Sequence, residues 1–176
     1  MRATGLSAEG CDDLAADAEV AVRLAVAHAT ASQQTLGTLS HDPDPLVRAR
    51  AADRLDDPQR LAVLGRDPSS VVRVVAFHRM AQKANEGEHS EVLTTALRQG
   101  ATASPDAYVR WKAVWGLGAI PGQLAMLESL VDDPDVDVRR ELANALAAQR
   151  NPAAVAPLGV LLKDPNNFLR AVAARG

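Results

Sequence analysis

Asp42-Pro43-Asp44-Pro45-Leu46-Val47-Arg48 returns one unit later as Asp67-Pro68-Ser69-Ser70-Val71-Val72-Arg73. Reduced to what recurs, the pattern is Asp-Pro-x-x-x-Val-Arg, and Asp133-Pro134 with Val138-Arg139 repeats it in full. Ser104-Pro105 with Val109-Arg110 and Asp164-Pro165 with Leu169-Arg170 are near copies, and Asp17 with Val22-Arg23 is a sixth that has Ala18 for the proline. A repeat of this length describes stacked helical units, each of which leans on its neighbours.

Asp followed by Pro reads as a helix start, with the Asp side chain as N-cap and Pro at the first helical position. Apolar residues then follow the motif Val at four and eight positions: Val47/Ala51/Leu55, Val72/Ala76/Met80, Val109/Ala113/Leu117 and Val138/Leu142/Leu146. The fifth position is apolar too, as Ala52, Phe77, Val114 and Ala143. At ~100° per residue these positions cover roughly 140° of the helix, one buried face. Each unit therefore reads as this helix, called B, followed by a shorter helix A. The A segments are expected at Pro58–Arg66, Glu91–Gln99, Gln123–Val131 and Ala153–Lys163, with Gly100–Ser104 as a turn.

The motif arginine lies ~100° from the Val, inside the buried arc. Arg48, Arg73, Arg110, Arg139 and Arg170 are thus read as a structural ladder, paired to the Asp of neighbouring units, in preference to a phosphate-binding stripe.

The motif resembles the HEAT-repeat superfamily, in particular short bacterial HEAT-like repeats also found in phycobilisome lyase-type proteins. The first units, with arginines 25 residues apart, resemble compact leucine-rich-variant repeats. The resemblance implies an all-α, right-handed α-solenoid of about five to six stacked repeats. One solenoid is expected over 13–176, after a flexible or capping segment at 1–12 and with a polar insertion around 82–90, where Lys83–Ser90 reads as a loop. The resemblance also implies that the B helices line a concave, partner-binding face.

Composition narrows the function. The chain is 47% hydrophobic, mostly Ala, Val and Leu, and has a net charge of −3, so no global charge marks a nucleic-acid or membrane protein. The lone Cys11 excludes an internal disulfide and a thiolate metal cluster. A cytoplasmic setting without membrane insertion is the expectation. No spacing supports a nucleophile–base set or a metal site, and Gly116-Leu117-Gly118 has no strand before it to make a phosphate loop. The chain is read as a non-enzyme with no cofactor.

Positions two and six after the Val are expected to face outward. They carry Leu24, Ala49, Val74, Trp111, Arg140 and Ala171, and His28, Asp53, His78, Trp115, Asn144 and Arg175. Both tryptophans fall on one B helix, opened by Tyr108. Tyr108, Trp111 and Trp115, with His78, Arg79, Lys112 and Arg140, are the expected partner-binding residues, since aromatic side chains flanked by Arg make interface hot spots; the alternative is that the insertion or a neighbouring helix covers Trp111 and Trp115 as core. Arg50, Arg54, Arg79, Lys112, Arg140 and Arg175 suggest an acidic protein or peptide as partner. The alternatives are nucleic acid, through a resemblance to HEAT-like alkylpurine DNA glycosylases that draws on the tryptophans and Glu141, or a phycobilisome lyase-type role.

Overall fold

The computed structural model describes residues 13–175, and within them every regular element is helical. The segment 1–12 lies outside the described residues. In chain order the α-helices are α1 (Val20–Ala29), α2 (Gln33–Leu39), α3 (Pro45–Ala52), α4 (Pro58–Leu64), α5 (Ser70–Asn85) and α6 (Glu91–Ala103). They continue as α7 (Ala107–Ala119), α8 (Leu124–Glu128), α9 (Val136–Ala148), α10 (Val155–Leu161) and α11 (Asn167–Ala173), with a 3₁₀ turn at Pro152–Ala154. The B helices are α1, α3, α5, α7, α9 and α11. The chain divides into two compact units between Arg79 and Met80, within the length of α5.

In the first unit, Val47, Ala51, Ala52 and Leu55 are buried together with Val72, Ala76 and Phe77. Leu36, Leu39 and Leu61 from α2 and α4 close the same core. In the second unit, α7 packs between α6 and α9, and α9 packs between α7 and α11. Its core is Leu93, Leu97, Val109, Leu117, Leu142, Leu146 and Leu169, all fully buried. Burying each such leucine is worth about 1.5–3 kcal/mol, which is why a helix as short as α11 persists beside its neighbour.

The motif Asp is not the N-cap. The B helices begin two residues later, with Asp44, Asp106, Asp135 and Asn166 as caps, each accepting from a first-turn N–H. The motif Asp instead takes the N–H of the residue two ahead: Asp44 donates to Asp42 at 2.8 Å and Asp135 to Asp133 at 2.9 Å. That turn leaves both carboxylate oxygens open toward the preceding repeat, where an arginine meets them.

Arg23 donates through Nε and Nη2 to Asp42, Arg48 to Asp67, Arg110 to Asp133 and Arg139 to Asp164, with Nε–Oδ2 distances of 2.6–2.8 Å. The remaining Nη1 donates to the carbonyl of its own turn, as from Arg48 to Asp42 O at 2.8 Å. Among the described residues Arg73 and Arg170 keep only these carbonyl bonds.

Three boundaries differ from the sequence reading. Helix α6 runs through Gly100 to Ala103, because Leu93, Leu97 and Ala101 form one buried stripe whose packing outweighs the ~1 kcal/mol helix penalty of a glycine. Helix α5 likewise continues into the expected loop as far as Asn85. Gly87, at φ 99°, then turns the chain, Glu88 N–H bonds Lys83 O, and the Glu88 carboxylate pairs with the Lys83 ammonium at 2.8 Å. The A segment expected over 123–131 shrinks to α8, since the Gln123 side chain is buried and accepts from Arg98 Nε at 2.9 Å.

Candidate functional site

Of the expected partner-binding residues, His78 and Arg79 belong to the first unit and Tyr108, Trp111, Lys112, Trp115 and Arg140 to the second.

In the second unit, Asp106 caps α7 by accepting from Tyr108 N–H at 2.9 Å, which fixes where the tyrosine leaves the helix. Tyr108 is exposed, while Trp111 and Trp115 are half-buried. The Tyr108 and Trp111 rings meet edge to face at 5.0 Å between centroids, a geometry worth about 0.5–1.5 kcal/mol beyond area burial. Trp111 Nε1 donates to Glu141 Oε2 on α9 at 3.2 Å, which pins the indole between the two B helices.

Lys112 is buried among these aromatic side chains. Its ammonium lies 4.1 Å from the Trp111 ring, 5.0 Å from Trp115 and 5.4 Å from Tyr108. Burial pushes its pKa down, against the opposing pull of the Glu141 carboxylate. The negative ring faces offset part of that desolvation cost. Lys112 therefore holds the aromatic cluster together from beneath and presents no cation to solvent.

Beside the cluster, α7 and α9 enclose an open recess of about 290 Å³, lined by Ala107, Tyr108, Trp111, Asp135, Asp137 and Arg140. Arg140 pairs with Asp137 at 2.7 Å, an exposed pair one turn apart. The first unit has a counterpart of about 370 Å³ between its B helices, lined by Leu24, Leu46, Ala49, Arg50, Asp53 and Val75.

The cations that suggested an acidic partner are largely engaged. Arg50 pairs with Asp53, Arg79 with Asp56 and Arg140 with Asp137. Arg54 and Arg79 also donate to carbonyls near the end of the preceding B helix, Arg54 to Ala27 and His28 and Arg79 to Leu55. Both stand seven residues after the motif Val, so they form a second structural series.

The sequence reading missed the most consistently exposed place on the B helices, the residue just before the motif Val. Ala21, Leu46, Val71, Tyr108, Asp137 and Phe168 occupy it, and all six are exposed. Four are large and apolar, 47–62% exposed. The position two after the Val is instead half-buried at Leu24, Val74, Trp111 and Arg140, buried at Ala49 and exposed at Ala171. It lies on the shoulder of the helix, where the next B helix packs.

Among the described residues no group of three or more His, Cys, Asp or Glu side chains is placed to hold a metal. Among the same residues no helix is long and apolar enough to cross a membrane.

Residues 94–176, covering α7, α9 and α11, match the family of HEAT repeats. That stretch of the chain belongs to the HEAT-repeat superfamily. Solved structures with this fold include YibA of Escherichia coli (18% identity, 96% of this chain and 68% of that one, TM-score 0.67). An engineered protein aligns at 19% identity over 96% of both chains, also with a TM-score of 0.67. A designed armadillo repeat protein in complex with the peptide (KR)4 aligns at 17% identity over 94% of this chain and 78% of its own, with a TM-score of 0.54. These likenesses show the all-α repeat-solenoid fold. No curated protein matches it.

Proposed function

We propose that this HEAT-repeat protein is a non-enzymatic adaptor that binds a protein or peptide on the B-helix face of its second unit. The observation that carries the reading is the α7–α9 recess. Two aromatic rings, pinned by Lys112 and Glu141, form one wall of a cavity open to solvent. A side chain seated there gains aromatic area without reordering the wall, and such preorganisation lowers the cost of binding. HEAT and armadillo-like repeats commonly serve as interaction scaffolds, and the designed armadillo repeat protein is in complex with the peptide (KR)4.

The partner's acidic character now rests on Arg140 alone within the recess. Its pair with Asp137 is solvent-exposed and worth about 0.2–1 kcal/mol, so a partner carboxylate displaces Asp137 at small cost. The partner is therefore an apolar or aromatic side chain flanked by an acid. A nucleic-acid duplex needs a dense row of unengaged cations; Arg50, Arg79 and Arg140 are each paired and Lys112 is buried. A cytoplasmic adaptor role fits this reading.

The test is an affinity pull-down from the native host with the wild-type chain and with Tyr108→Ala combined with Trp111→Ala. The adaptor reading expects one specific partner, lost in the double variant while far-UV circular dichroism stays unchanged. Retention of the partner by a folded double variant would place the interface elsewhere.

A further inference from the structure

The motif supplies six arginines, on α1, α3, α5, α7, α9 and α11, and five aspartates, at Asp17, Asp42, Asp67, Asp133 and Asp164. Four Arg–Asp rungs form within the chain. Among the described residues Asp17 is the motif aspartate left without an arginine: its carboxylate takes only the Glu19 N–H at 2.8 Å. That is the same turn contact by which Asp42, Asp133 and Asp164 orient their carboxylates toward an incoming guanidinium. Arg170 is the matching half. Its Nη1 is fixed on Asp164 O at 2.8 Å and Pro165 O at 3.0 Å, as for Arg23, Arg48 and Arg110, and its Nε and Nη2 meet no carboxylate among the described residues.

We infer that Arg170 of one copy and Asp17 of a second copy complete a fifth rung, so that the chain self-associates head to tail through its own repeat interface. The occupant is identified by charge complementarity: the guanidinium and the carboxylate are each preset in the geometry that the four internal rungs use. Exposed apolar surface accompanies both halves, with Phe168 and Ala171 on α11 and Val20 and Ala25 on α1. The contact is heterologous, since the two partners use different surfaces. Its strength depends on salt, because part of the rung is solvent-accessible.

Sedimentation velocity on the full chain tests this over about a hundredfold range of concentration. The wild type is expected to shift reversibly above its 18.6 kDa monomer mass, and less so at high salt. Asp17→Asn keeps the acceptor for Glu19 N–H and loses the charge; Arg170→Gln removes the other half. Each alone is expected to weaken association at least about tenfold. Mixed one to one, they retain one wild-type half each and form a dimer that cannot extend. Arg73→Gln, which changes the other arginine lacking a carboxylate, leaves association intact. A wild type that stays monomeric throughout, a mixture that forms no dimer, or loss of association in Arg73→Gln would each overturn the inference.

Discussion

Arg110 and Asp133 show what one rung does. The guanidinium meets both carboxylate oxygens, at 2.8 and 3.0 Å, and its third nitrogen reaches Ser104 O at 3.1 Å. Removing one partner strands the other in a site where their side chains are only 12% and 4% exposed. Asp133→Ala is therefore expected to cost about 3 kcal/mol, whereas Arg110→Met combined with Asp133→Leu costs much less. Urea unfolding of Asp133→Ala and of the double variant measures the difference. The rungs also set the acid limit of stability. Hydrogen bonds from Arg48 and Arg139 hold Asp67 and Asp164 below the ordinary carboxylate range. At Asp42 and Asp133 burial acts upward, and the bonds from Arg23 and Arg110 with the turn N–H outweigh it. A carboxylate lowered in the folded state stabilises above its unfolded pKa, and that contribution is lost as pH falls through the folded one. Stability is thus expected to hold from neutral pH to about pH 5 and to decline below about pH 4, with a shallower decline in Asp133→Asn. Thermal melts across that range check the sign.

At the scale of the helix, Gly118 decides how closely α7 and α9 approach. A Cβ there would lie 2.8 Å from Ala145 Cβ and 3.0 Å from its Cα. Gly→Ala inside a helix ordinarily gains about 1 kcal/mol; Gly118→Ala is expected to lose about 1–3 kcal/mol, because backbone must move. Chemical denaturation gives the sign directly. Removing the α9 cap with Asp135→Ala costs about 1 kcal/mol more, since two first-turn N–H groups lose their acceptor. The buried faces were legible in the sequence, because Val, Ala and Leu at fixed helical intervals admit one wheel. The caps were not, because Asp-Pro imitates a helix start, and the true caps two residues later are Asp44, Asp106, Asp135 and Asn166. The outward face was half legible. The residue before the motif Val lies ~170° from the centre of the buried arc, and a wheel begun at that Val does not reach it. Trp111, ~130° away, falls on the packed shoulder. Lys112 was beyond reach, since no wheel shows that aromatic side chains one turn apart will close over an ammonium.

Over the whole molecule, the two tryptophans of the sequence sit on one helix, α7, half-buried around one buried charge. The first unit has neither Trp nor Tyr. Tryptophan emission is therefore a local instrument: it reports the second unit and is blind to melting confined to the first. Comparing emission with far-UV circular dichroism during urea unfolding separates the two units, and non-coincident curves are expected wherever they unfold apart. The same placement makes the recess self-reporting. A partner side chain seated against Trp111 changes the polarity around an indole that already bonds Glu141, so occupancy is read from the unlabelled protein as a change in its own fluorescence.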